Sequence, residues 1–266
     1  MSRMTLSPLR RPALAAGLAL LLALQGCASG PRTNPQDPFE PFNREVSRFN
    51  EGVDAVVLKP GATLYRENVP ALVRTGVSNF FGNLTDAWSA VNSALQLKFH
   101  NAAENAMRFS VNTVFGLGGI LDIASEANID RHREDFGKTL GHWGVPSGPY
   151  VVLPLLGPST LRDSLALPID YRGDLVREID PAASRNSLYV LRAVDVRANL
   201  LRAGDVLEGA ALDKYSFTRD AYLQRRRSLI ESGRPGAGRG GDDGYEYEYD
   251  DEDEAAPSAP AAPPGR

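Results

Sequence analysis

The sequence predicts an all-α fold. Apolar residues recur at spacings of three and four through most of the body, and strand-like alternation is nearly absent. Proline and glycine fall where the resulting helices would begin and end. The chain has 266 residues, of which 42% are hydrophobic and 23% charged, enough for one sizeable core or two small ones.

The formal net charge of -4 is unevenly placed: residues 242–254 hold nine acidic side chains and no basic one. With that run and the three arginines of residues 1–26 set aside, the body is close to neutral. A near-neutral body lacks the broad basic face that nucleic-acid binding needs, so no nucleic-acid partner is expected.

Residues 1–26 read as an export signal. Arg3, Arg10 and Arg11 are basic, and residues 12–24 form an apolar run of signal-peptide length, short for a bilayer span. Leu24-Gln25-Gly26-Cys27 then resembles the lipobox of bacterial lipoproteins. That resemblance implies cleavage before Cys27 and lipidation of its thiol, and it accounts for the only cysteine, which can form no intrachain disulfide. The alternative is an ordinary signal with a chance cysteine at its end. Several acyl chains anchor stably where one would be marginal. Ala28, rather than Asp, follows the cysteine, which by analogy with lipoprotein sorting implies the outer membrane.

Residues 27–37 form a polar tether, and 38–232 are the expected helical domain. Pro41 suits an early helical position, and Phe42, Val46, Phe49 and Val53 make the first amphipathic stripe, ending before Pro60-Gly61. Pro70 opens a second helix, with Val73, Val77, Phe80 and Leu84 on one face. Asp86 is placed to cap a third, with Trp88, Val91 and Leu95 as its stripe. Core packing is the expected role of all three stripes.

Residues 101–115 predict a fourth helix carrying Met107, Val111 and Val114. It runs into Gly116-Leu117-Gly118-Gly119 and a second apolar arm, Ile120-Leu121-Asp122-Ile123-Ala124. The glycines allow a tight reversal, read either as a hairpin that enters a membrane or lines a cavity, or as a plain helix C-cap. A nucleotide loop is excluded, because the third spaced glycine and a preceding strand are missing.

Residues 136–163 are too rich in glycine and proline for one helix and too apolar for a solvated loop. Ser159-Thr160 would cap a short helix through Leu167, and residues 168–181 read as irregular. A helix over 184–203 turns Leu188, Leu191, Val194, Ala198 and Leu201 inward. The last helix, over 213–232, has Tyr215, Tyr222 and Leu229 on one side. Arg225, Arg226 and Arg227 near its end suit the helix dipole and solvent, or anionic head groups. Residues 233–266 have the low-complexity, acidic and Pro/Ala-rich composition of a disordered tail.

No catalytic set stands out, so neither an enzyme nor a metal or other cofactor is expected. His100, His132 and His142 fit no spaced metal motif, and Gly157-Pro158-Ser159-Thr160-Leu161 lacks the second glycine of a nucleophile elbow. Asp122, Asp130, Glu134 and Asp135 read as a solvated face, and His142-Trp143 as a packed tryptophan beside a hydrogen-bonded histidine.

Several short motifs, taken in order, carry a family resemblance. They are Asp37-Pro38-Phe39-Glu40 with Phe42-Asn43-Arg44, then Ser78-Asn79-Phe80 with Gly82-Asn83-Leu84. Asn112-Thr113 with Gly116–Gly119 follows, then Phe136-Gly137-Lys138-Thr139-Leu140-Gly141-His142. Gly148-Pro149-Tyr150-Val151, Leu153-Pro154 and Thr160-Leu161-Arg162-Asp163 complete the set. Over about residues 37–231 the chain resembles the MlaA (VacJ-like) outer-membrane phospholipid-binding lipoproteins.

The resemblance implies a ring of amphipathic helices lying along a leaflet of the outer membrane around a central amphipathic channel. Through it, misplaced outer-leaflet phospholipid would pass to a periplasmic lipid-carrier protein, maintaining lipid asymmetry. Trimeric porins are the implied membrane partners. The matching position of the family's gating hairpin is Val111, Phe115, Gly116, Leu117, Gly118, Gly119 and Ile120, while residues 137–163 would form wall and membrane-facing surface. A non-conducting structural or porin-associated scaffold is the competing reading. A lipid hydrolase would need a nucleophile and base that the sequence does not offer.

Overall fold

The computed structural model describes residues 34–204 and 212–233. Cys27, the export signal, most of the tether and the acidic tail lie outside the described residues. Helix α1 (Glu40–Val53) continues through a π turn (Asp54–Leu58) into α2 (Lys59–Asn68). Next come α3 (Ala71–Leu95), α4 (Phe99–Val114), the short α5 (Ile123–Glu126) and α6 (Phe136–His142). A hairpin of β1 (Tyr150–Leu153) and β2 (Gly157–Thr160) precedes α7 (Leu161–Gly173), a 3-10 turn (Leu175–Glu178), α8 (Ala182–Asn199) and α9 (Lys214–Ser232). The fold is thus mostly helical, as the periodicity predicts, with one short antiparallel pair that alternation did not reveal.

The helices differ from expectation at three boundaries. The first does not stop before Pro60-Gly61. Proline has no N–H to donate and crowds the carbonyl four residues back, and the wider turn just before it, closed by Lys59 N–H to Asp54 O, accommodates both. Residues 71–95 form one helix rather than two. Asp86 is not a cap but a buried side chain within α3, and no proline interrupts the helix. After Thr160, whose side chain accepts from Asp163 N–H, α7 runs past Pro168 to Gly173, so residues 168–173 are helical rather than irregular. Pro70 and Asp213 do open helices; Val69 before the proline is extended, as the ring requires.

The packing is inverted relative to a protein folded in water. Among the described residues, the buried hydrophobic side chains form only small clusters: Ala62, Ala198 and Leu201 near Tyr65, and Tyr150, Val152 and Tyr215 near Val46, Tyr222 and Leu223. Much of the rest of the interior is polar. Asn83, Asp86, Ser89, Asn92 and Ser93 on α3, with Gln96 at its end, and Asn105, Arg108 and Asn112 on α4 are all buried. The predicted stripes are therefore real in period, but many of their members face outward while others, such as Val46, are half-buried. Phe42 and Phe49 are 55% and 54% exposed, and Val73, Val91, Leu95, Met107 and Val114 also lie on the surface. The inward set over residues 188–201 behaves as expected, with Ala198 and Leu201 buried, and Tyr215 of the last stripe is buried as well. No helix among the described residues is long and apolar enough to cross a membrane.

Residues 136–163 resolve into α6, a turn, the β-hairpin and the start of α7. Two asparagines of α1 pair with the edge of β1. Asn43 Nδ2 donates to Tyr150 O (3.0 Å) and its Oδ1 accepts from Val152 N–H (2.9 Å). Asn50 does the same for Leu153 O (3.0 Å) and Leu155 N–H (2.8 Å). The match is metric: seven helical residues and three strand residues both advance about 10 Å. Beyond this docked edge the tip is apolar and open, with Leu155 64% and Leu156 71% exposed.

Candidate functional site

The polar interior centres on Arg108 of α4, which is 1% exposed. Its Nη2 donates to both oxygens of Asp122 (2.8 and 2.6 Å) and to Ser125 Oγ (3.1 Å), and its Nη1 donates to Ile129 O. Arg131 donates to Asp86 (3.2 Å) and reaches Asp122 (3.4 Å). Asp86 and Asp122 thus share two arginines, whereas the sequence reading placed Asp122 on a solvated face. Burial pushes the Asp86 carboxyl above its usual value against the pull of Arg131 and Arg108. Burial acts the same way on Asp122, but hydrogen bonds from Ser125 and Asn112 and the two arginine charges outweigh it and hold that carboxyl low.

A second polar cluster continues along α3. Glu134, also expected in solvent, is buried. It accepts from Gln96 Nε2 (3.0 Å) and Lys98 Nζ (2.8 Å), with Lys138 Nζ 3.2 Å away. Ser89 Oγ accepts from Glu134 N–H (3.1 Å), and Thr139 Oγ1 donates to Asn92 (2.9 Å). Asp135 caps α6 through Lys138 N–H (2.7 Å) and takes two hydrogen bonds from Arg226 (2.6 Å each). Arg226 also donates to Asp163 (2.9 Å). Arg226 therefore clamps α9 onto the starts of α6 and α7, a correction to its reading as a solvated dipole partner. Trp143 is 58% exposed rather than packed: its Nε1 donates to Leu95 O (3.1 Å) and its ring meets His142 edge-on.

The structure brings the predicted hairpin residues together. Phe115 caps α4, and Leu117, Gly118 and Gly119 take the left-handed backbone (φ 55°, 74° and 96°) that reverses the chain. Gly118 N–H donates to Thr113 O (3.1 Å), and Leu121 N–H to Gly116 O (2.9 Å). Phe115 and Leu117 are 70% and 71% exposed, Ile120 is 46% exposed, and Val111 is half-buried. The tip rests on α3: Asn79 Nδ2 donates to Ile120 O (3.2 Å), and a side chain on Gly119 would run into Asn83.

The base of the hairpin is tied to the ion cluster. Asn112 on the outgoing arm donates to Asp122 on the returning arm (2.8 Å) and accepts from Ala124 N–H (2.8 Å). The sequence reading missed this cluster, although its signal was present. Polar residues recur at 83, 86, 89, 92–93 and 96, a helical stripe as regular as the apolar ones. Among the described residues, no group of three or more His, Cys, Asp or Glu side chains is placed to hold a metal ion. What the arrangement offers instead is fixed charge and hydrogen-bond donors behind an apolar surface.

The profile of the MlaA lipoprotein family matches residues 35–229, nearly the whole described body. This chain belongs to that family. Two relatives named intermembrane phospholipid transport system lipoprotein MlaA, from Shigella flexneri and Escherichia coli (strain K12), are each 37% identical over 237 residues, 85% of this chain and 90% of theirs. The protein of the same name from Haemophilus influenzae is 34% identical over 223 residues, 80% of this chain and 88% of its own. A solved chain from a structure described as "Structural basis for maintenance of bacterial outer membrane lipid asymmetry" matches with TM-score 0.62 at 35% identity, covering 75% of this chain and all of that one. Both the helical body and the hairpin at 111–124 fall inside the region matched by the MlaA profile.

Proposed function

We propose that this protein is the outer-membrane lipoprotein of an intermembrane phospholipid transport system, removing phospholipid from the outer leaflet and so keeping the membrane asymmetric. The observation that carries the reading is the inverted packing. Buried arginines, carboxylates and amides lie behind a surface bearing Phe42, Phe49, Leu72, Phe115 and Leu156. Such a surface is costly in water and favourable in acyl chains, while the polar interior suits a head group that cannot cross hydrocarbon cheaply. Since no described helix is of spanning length and apolarity, the body would lie in one leaflet, its helices arranged as a ring around an amphipathic passage.

Within this proposal Cys27 carries the acyl anchor. The hairpin of Val111, Phe115, Gly116, Leu117, Gly118, Gly119 and Ile120 gates the passage. A trimeric porin holds the body in the membrane, and a periplasmic carrier receives the lipid. The relatives' shared name and the 37% identity support the system-level assignment. The test is deletion of this protein, followed by labelling of surface phosphatidylethanolamine with a membrane-impermeant amine reagent. Surface phospholipid should rise and fall again on complementation, but not with Cys27→Ala. An unchanged outer leaflet with porin still co-purifying would replace transport by the scaffold reading.

A further inference from the structure

A cavity of about 630 Å³ opens between α4, the segment 125–135, α6 and α9, within the size range of small-molecule sites. Its lining includes six cationic side chains, Arg108, Arg131, Arg133, Lys138, Arg225 and Arg226, against two carboxylates, Asp130 and Asp135. The other carboxylates that hold Arg108, Arg131, Lys138 and Arg226, namely Asp86, Asp122, Glu134 and Asp163, do not line it. The charges are therefore sorted, with cations at the wall and several of their anions behind it. This is a way to keep guanidinium groups in a water-poor interior while directing their potential one way. We infer that this cavity binds the phosphate of a phospholipid head group, with Arg133 and Arg225 at its rim as the main contacts. The inference rests on the proposed transport function and assigns a head-group site within it.

Three features favour a lipid phosphate. Arginine presents five donors in a planar fork that matches a phosphodiester, and five arginines line this cavity. Arg133 and Arg225 are exposed, so they are accessible to an entering anion. The wall also carries Ile129, Tyr222 and Leu229, an apolar flank of no use to a free phosphate ion but suited to the glyceride attached to a lipid phosphate. The same arginines are coupled to the hairpin, because Arg108 and Arg131 both bind Asp122 on its returning arm.

The experiment is calorimetric titration of the full-length protein in a phosphate-free maltoside detergent. The probes are dihexanoyl phosphatidylglycerol, dihexanoylglycerol and inorganic phosphate. Saturable binding of the phospholipid is expected, with no binding of the diacylglycerol and at least tenfold weaker binding of inorganic phosphate. Arg133→Gln and Arg225→Gln should each weaken phospholipid binding about tenfold, the worth of one charge-assisted contact. Arg185→Gln on α8, which removes the same charge outside the cavity, should leave it unchanged. Both cavity substitutions are at exposed positions, so folding is preserved; an unchanged helical circular dichroism spectrum checks this. Equal affinity in wild type and the double variant overturns the site, as does diacylglycerol or inorganic phosphate binding as tightly as the lipid. A failed titration alongside raised surface phospholipid on deletion removes the site and leaves the transport reading. A successful titration with no deletion phenotype does the reverse.

Discussion

Replacing Gly116 and Gly118 separately by alanine separates close packing from backbone strain at the hairpin. At Gly116 an added Cβ would fall on Leu121 O and within 2.5 Å of Asn112 O, both backbone atoms that no rotamer change can move. Gly116 is also the acceptor that closes the turn, through Leu121 N–H at 2.9 Å. Overpacking of this kind costs about 1–3 kcal/mol, and a clash between two fixed backbone segments belongs at the upper end. At Gly118 nothing lies within 4 Å of the added atom, so only the left-handed backbone (φ 74°) is penalised; that costs about 1 kcal/mol. For a body of this size about 1 kcal/mol moves the unfolding midpoint by roughly 2–4 °C. Gly116→Ala should then lower it by about 6–12 °C and Gly118→Ala by about 2–4 °C. Thermal melts in detergent micelles, followed by circular dichroism, read both. Equal shifts, or a larger one at Gly118, would refute the assignment of Gly116 as the sterically closed position.

Asn43→Leu keeps the volume of the side chain but strands Asp37 Oδ1, Tyr150 O and Val152 N–H, and should destabilise by about 3 kcal/mol in the same melts. Asp122→Asn removes the charge that Arg108 and Arg131 share, with a loss of about 3 kcal/mol expected; a loss under 1 kcal/mol would mean that Asp86 alone suffices. Burial works to raise the Asp135 carboxyl, but hydrogen bonds and charge from Arg226 prevail and hold it below its usual range. Its stabilisation is therefore fully present above the unfolded value of about 4 and is lost as pH falls through the lower folded value. Melts between pH 7 and 3 should show this acid loss, and Arg226→Met should flatten it.

The helical class and the family were legible in the sequence, yet which members of each stripe face outward was not. Periodicity finds a stripe, but which face points inward depends on the solvent, and a stripe of Phe42, Val46, Phe49 and Val53 reads as core only if water is outside. The polar counter-stripe, Asn43 and Asn50 on α1 and Asn83 to Gln96 on α3, carried the missing information. An amide repeated at helical spacing is as clear a signal as a leucine. The ion pairs were beyond local pattern for another reason. Arg226 meets Asp135 across 91 positions and Arg131 meets Asp86 across 45, so each reads locally as a surface charge. The π turn before Pro60 and the single helix through Asp86 were hidden because proline and aspartate mark helix boundaries only on average.

These contacts also constrain how the proposed gate could work. Both arms of the hairpin converge on Asp122, which holds Arg108, Asn112 and Ser125. Separating them would break several hydrogen bonds to a charged group, each worth about 1.5–3 kcal/mol. The tip is held far more lightly, by the neutral bond from Asn79 to Ile120 O and the contact of Gly119 with Asn83. In the proposed gate, motion would thus be confined to about residues 115–121, with the arginine cluster fixed. The exposed Phe115 and Leu117 would then be the surfaces that move, through a medium as apolar as themselves. In the proposed gate, movement of the tip would leave in place the charges that a passing head group would need. A gate hinged at the ion cluster would open the passage and disorder its cationic wall in the same step.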